Sequence, residues 1–199
     1  MEFRVSSPGR ICLFGEHQDF LGLPVISTAM NLRFEITAKE RSDNLYVINM
    51  PDIGERVEFV PSEELEYTTS CDYLKSSINL LKRKFGLSFE TVFEFTFRSK
   101  IPINSGCGSS STMVVTWITA LLDIHHVRVT PVELAELAFQ AEVLEFGESG
   151  GKMDHYTSVL GGILFLDFSG KPTIYEKLKT IPDVFFSGIL SNLKQQWTF

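Results

Sequence analysis

From Leu32 to Lys39 apolar and polar residues alternate without a break, the period of a strand with one buried face. The same period returns where Phe93, Phe95 and Phe97 alternate with Glu94, Thr96 and Arg98. Leu45–Met50 and Arg56–Val60 predict two more strands joined by the turn Pro51-Asp52-Ile53-Gly54, which together with the strand before them form a meander. Glu2–Ser6 predicts a short strand that Pro8-Gly9 ends in a turn, and Gly161–Phe168 predicts a late one. Helical spacing sets in at Leu74, Ile78, Leu81 and Phe85 with Gly86 as the stop, so Tyr73–Phe85 is an expected amphipathic helix. Met113–Ile124 is apolar around most of its circumference and predicts a nearly central helix. Thr130-Pro131-Val132-Glu133 combines an N-cap, a first-turn proline and a capping-box Glu, opening a helix expected to run to about Phe146 before Gly147. Mixed strands and helices without a repeat or linker predict one α+β domain.

Three stretches break this pattern. The first is the small-residue loop Pro102–Thr112, which runs directly into the central helix. Its glycines permit a tight turn, and the N–H groups of a helix's first turn face outward at the positive end of the dipole. Such a loop is either a turn that caps a buried helix or an anion site, most naturally for phosphate. No Lys follows the glycines and the Gly-x-Gly-x-x-Gly spacing is missing, which excludes the two commonest phosphate loops. The second is Gly15-Glu16-His17-Gln18-Asp19, an ionisable cluster between apolar flanks, to be read as a polar turn or as a site. The third surrounds two carboxylates. On a helix of 100° per residue Glu142 falls opposite Glu133, Glu136 and Gln140, among apolar neighbours, so its charge needs an ion pair or a metal. Asp154 follows Gly150-Gly151, either as a helix cap or as a carboxylate facing a cleft. His125 and His126, at the end of the central helix, are assigned no chemistry.

The chain has 199 residues, enough to bury a sizeable core, and its 17 Phe predict an aromatic one. With 18 Lys+Arg against 25 Asp+Glu the net charge is −7, which argues against nucleic acid or an anionic membrane as partner. A polyanionic ligand must therefore be held locally, by backbone dipoles and metal. Cys12, Cys71 and Cys107 share no metal-ligand spacing and suit a reducing compartment. No signal peptide or membrane-length apolar run is visible, so a cytoplasmic protein is expected.

Pro102-x-x-x-Gly106-x-Gly108-Ser109-Ser110 resembles the second motif of the GHMP small-molecule kinases, usually Gly-Leu-Gly/Ser-Ser-Ser-Ala, with Cys107 for Leu and Ser111 for Ala. Pro8-Gly9-Arg10-x-x-Leu13-x-Gly15-Glu16-His17-x-Asp19-Phe20 resembles the signature of the galactokinase branch, although Gln18, Phe20 and Leu21-Gly22-Leu23 depart from Thr, Tyr and Asn-Gly-Gly. Gly151-Lys152-Met153-Asp154-His155 resembles that branch's Gly-Ile-Met-Asp-Gln, with Lys152 for Ile and His155 for Gln.

The resemblance implies an N-terminal GHMP-kinase domain over residues 1–185, with a ribosomal-protein-like βαβ core that puts the phosphate loop and the Asp154 loop on one side. It implies ATP and Mg2+ as cofactors. The backbone of Gly106, Cys107, Gly108, Ser109, Ser110 and Ser111 would hold ATP, and Ser110 with Glu142 the metal. Glu16, His17 and Asp19 would bind a sugar, most naturally galactose at its anomeric hydroxyl, with Asp154 as base and Arg10 beside the transferred phosphate. The family's C-terminal domain has no counterpart here, and residues 186–199 read as an irregular tail of a truncated or frameshifted frame. Self-association through the surface left uncovered is then expected. The rival expectations are an inactive fragment or sugar sensor carrying the same motifs, and a GHMP kinase of another alcohol.

Overall fold

In the computed structural model, the described residues are 1–61, 64–69, 72–103 and 105–179. The expected tail at 186–199 and the end of the domain expected at 185 lie outside them. The strands β1 (Glu2–Phe14), β2 (Val25–Glu40), β3 (Tyr46–Met50), β4 (Glu55–Phe59), β5 (Phe93–Ser99), β6 (Ile163–Asp167) and β7 (Ile174–Leu178) form one sheet. Helices α1 (Tyr73–Phe85), α2 (Ser109–Ile124), α3 (Pro131–Phe139) and α4 (Met153–Leu160) interrupt them.

β2 is the axis of the sheet. β1 runs antiparallel along one of its edges, while β5 and β6 share the other, β5 against Phe34–Glu40 and β6 against Val25–Thr28. β3 lies parallel to β5 and hairpins to β4, so the expected turn at 51–54 is present, but the meander is not. β5 inserts between β2 and β3 because its Phe93, Phe95 and Phe97 are the face that the helices cover. Phe95 meets Trp117 of α2 edge-on with centroids 4.7 Å apart, and the buried Trp117 donates its indole N–H to Leu74 O of α1 at 3.0 Å. The ring area and the satisfied N–H together fix α2 between sheet and α1. A smaller apolar cluster of Val25, Ala135, Met153, Tyr156, Leu164 and Leu166 seats α3 and α4 over β6.

Two expectations near the site change. Pro8-Gly9 does not end β1; the register shifts between Pro8 and Arg10 in a bulge, and the strand continues to Phe14. A side chain at Gly9 would come within 2.7 Å of Met30 Cε, so glycine lets β1 stay against β2 here. The helix from Thr130 is not uniform to Phe146 either. α3 stops at Phe139 and a π turn follows over Gln140–Leu144, closed by Glu145 N donating to Gln140 O at 2.9 Å. Ser76 of α1 donates its hydroxyl to Ala141 O at 2.8 Å, a side chain reaching into the ladder where it widens.

The capping box at Thr130 and Glu133 is complete in both directions. Thr130→Ala is expected to lower unfolding free energy by about 1 kcal/mol in urea titrations. The effect should be confined to stability, since the cap lies on the far end of α3 from Glu142.

Candidate active site

At the register shift the single Gly9 of β1 faces Met30, Asn31 and Leu32 of β2, and Arg10 follows it with its side chain turned into the protein. The residue is only 6% exposed, and its side chain holds three segments together. Nε donates to Asp154 Oδ1 at 2.6 Å, Nη1 donates to Gly106 O, and Nη2 lies 3.6 Å from Glu16 Oε1. The Arg10 backbone N–H donates to Cys107 O at 3.0 Å, so the same residue fixes the loop by main chain and side chain. Burial disfavours the guanidinium charge, but attraction to Asp154 and the hydrogen bond to it more than compensate, holding Arg10 above its usual range.

Gly108 caps α2 in the left-handed region at φ +68, and a Cβ there would sit 3.0 Å from Asp154 Oδ2. The loop therefore approaches Asp154 as closely as backbone can. The first hydrogen bond of α2 runs from Thr112 N to Gly108 O at 2.9 Å, which leaves the preceding N–H groups at the helix mouth. Thr112 itself is buried, and its hydroxyl lies 3.0 Å from that of Ser158 in α4. That contact joins the two helices whose N-termini carry the loop and Asp154. A cavity of 450 Å³ opens here, lined by Arg10, Gly106–Ser110 and Asp154 on one side. Phe34, Phe97, Tyr73, Ile103 and Met113 supply the apolar part of its lining.

Glu142 is buried at 5% exposure, and its Oε2 lies 2.6 Å from Nε2 of His155. Burial pushes the carboxyl up, yet the hydrogen bond and electrostatic attraction from His155, with hydrogen bonds from Ser111 and Ser110, outweigh it and the group lies below the usual Glu range. The helical-face reading thus placed the carboxylate correctly. Among the described residues no cluster of three or more His, Cys, Asp or Glu is arranged to hold a metal by itself. A lone carboxylate with a serine hydroxyl nonetheless suits magnesium, which keeps few protein ligands and completes its shell with phosphate oxygens and water.

The three polar residues of the first motif part company. Glu16 is exposed and faces Arg10; His17 is exposed, with a left-handed φ of 60. Asp19 turns toward α4, where its Oδ2 accepts from Met153 N at 2.9 Å. A Cβ on Gly151 would fall 1.8 Å from that same oxygen, so the glycine is what admits the carboxylate. Asp19 lines a second cavity of 310 Å³ together with Phe20, Gly151, Lys152 and Phe168. Lys152 is held by Glu136 at 2.7 and 2.9 Å, and Tyr156 donates to the same Glu136 at 2.6 Å. Sequence reasoning did not find this trio, because Glu136 on α3 lies 16 and 20 residues before its partners Lys152 and Tyr156.

A glycine and serine loop thus opens a buried helix and is locked by a buried Arg to an Asp on a neighbouring helix, an arrangement carried on a mixed α/β fold. Residues 72–162 match the GHMP kinases N terminal domain, and residues 1–39 match the galactokinase galactose-binding signature. The chain belongs to the GHMP kinase family and carries its N-terminal domain. It is 31% identical over 174 residues to a mevalonate kinase of Thermococcus sibiricus, covering 83% of this chain and 51% of the relative. A galactokinase of Thermotoga petrophila is 30% identical over 167 residues, covering 82% and 46%. The crystal structure of a D-glycero-D-manno-heptose 1-phosphate kinase from Bacteriodes thetaiotaomicron superposes with a TM-score of 0.79 at 27% identity, over 91% of this chain and 61% of that one. This chain spans about half the length of the curated relatives it matches. No helix among the described residues is long and apolar enough to cross a membrane.

Proposed function

We propose that the chain binds ATP at the Gly106–Ser111 loop and serves transfer of its terminal phosphoryl group to a hydroxyl of a small molecule. The observation that carries this reading is the Arg10 bridge, which puts one buried cation in contact with both the loop carbonyl of Gly106 and the carboxylate of Asp154. Phosphoryl transfer needs positioning and charge stabilisation above all. In this reading the loop N–H groups hold phosphate oxygens, and Arg10 meets the charge of the group in flight. Asp154 takes or orients the proton of the acceptor hydroxyl. Magnesium, when bound by Glu142, Ser110 and phosphate oxygens, would supply charge neutralisation.

A sugar is the acceptor we favour, and its anomeric hydroxyl in galactose the first to try. The support is the match of residues 1–39 to the galactose-binding signature, which includes Glu16, His17 and Asp19. A second reading, an acceptor such as mevalonate, is supported by the 31% identity to a mevalonate kinase. Self-association enters through apolar side chains left in solvent, Phe14, Phe20 and Leu21 among them.

Thermal unfolding of the 199-residue chain with Mg-ATP, galactose, mevalonate or a heptose phosphate tests these readings. A ligand at 100 times its Kd should stabilise the fold by about 2.7 kcal/mol, a rise of several degrees. A shift with Mg-ATP and galactose is the expected result. A shift with mevalonate alone would move the acceptor, and no shift with Mg-ATP would leave a protein that shares the family's fold without its nucleotide site.

A further inference from the structure

Beside Glu142 stands a group to which the phosphoryl-transfer scheme gives no task. His155 is 1% exposed, its Nε2 is 2.6 Å from Glu142 Oε2, and its Nδ1 is buried with no hydrogen-bond partner. Phe139 meets the imidazole edge-on, with ring centroids 5.8 Å apart, which limits its rotation. An ionised carboxylate can only accept, so the proton between the two groups belongs to Nε2. Glu142 is therefore held by a buried imidazole N–H. Ser110 and Ser111 are its other donors, and no Lys or Arg among the described residues forms an ion pair with it.

We propose that His155 is a positioning residue for the metal: its hydrogen bond to one oxygen of Glu142 fixes the orientation in which that carboxylate would meet a divalent cation. The inference rests on the reading of Glu142 as a magnesium ligand. It also gives a reason for the departure at this position, since the side-chain amide of Gln can donate the same single hydrogen bond without a charge.

Two variants and two measurements test it. His155→Gln keeps a neutral donor, whereas His155→Leu removes it. Affinity for a fluorescent ATP analogue is measured by titration with Mg2+ and again with chelator in its place. Partners that orient a metal ligand typically contribute 10–100-fold to metal affinity. We expect His155→Leu to lose at least tenfold of the Mg2+-dependent gain in nucleotide affinity, and His155→Gln to keep it within about threefold. Metal-free nucleotide affinity should be the same in all three proteins. Equal Mg2+ gain in both variants and in the parent would reduce His155 to a packing residue and overturn the proposal, as would equal loss in both. A parent chain whose nucleotide binding ignores Mg2+ would instead reject the metal role of Glu142, and the proposal with it. The tautomer is read separately from the long-range 15N–1H spectrum of the ligand-free protein. An Nε2 without hydrogen there would refute the geometry whatever the nucleotide does.

Discussion

Asp154→Ala is expected to bind Mg-ATP as the parent does and to transfer its phosphoryl group at least 100-fold more slowly, the scale on which a positioned base or charge contact acts. The reason lies in the close fit of the carboxylate between Arg10 Nε and the backbone of Gly108. Alanine also strips Arg10 of its shortest ion-pair partner. Asp154→Asn is the necessary companion, because its amide oxygen can still accept from Arg10 while its basicity is gone. Both should fall together in kcat with similar KM for ATP. If Asn kept activity within tenfold of the parent, Asp154 would be an anchor for Arg10 and not a base. Single-turnover measurements with saturating Mg-ATP separate these outcomes.

The second large effect concerns stability. Glu142→Ala should cost about 3 kcal/mol of unfolding free energy in urea, since it leaves His155 Nε2 and two serine hydroxyls without their buried acceptor. Its pH dependence has a definite sign. The Glu142 carboxyl lies below the ordinary 4.5 in the folded chain, so on acidification the unfolded chain takes up the proton first. Its contribution is whole above the ordinary carboxylate value and is lost as pH falls through the depressed one. Glu142→Gln should therefore flatten the acid limb of a stability profile relative to the parent. A variant whose acid limb stayed as steep would place the proton uptake on other carboxylates.

Much of this fold is legible in the sequence where a local rule meets a local need. The helix expected over Tyr73–Phe85 has those ends, because a single apolar stripe and a glycine with left-handed φ settle both. The period-two run of Phe93, Phe95 and Phe97 likewise gives a buried strand face. Local rules fail where distant segments decide. Pro8-Gly9 reads as a turn, yet Met30 and Ile101 pack against the bare glycine and the strand carries on. The π turn at Gln140–Leu144 has no sequence marker, since Ser76 of another helix occupies the carbonyl that it frees. Of the candidate site, Arg10, the loop and Asp154 come together as the motif resemblance implied. Asp19 also accepts from the first turn of α4 across 134 residues of chain, a contact that only the fold can reveal.

The Arg10 bridge also bears on the order in which the site can be built. Its partners lie 96 and 144 residues further along the chain, so a nascent polypeptide carries the cation long before either exists. Loop closure over such spans is rewarded only when the intervening sheet and α2 have already drawn the ends together. The Arg10–Gly106–Asp154 cluster is thus assembled late in folding. Until Asp154 has left the ribosome, the growing chain lacks the carboxylate that completes it.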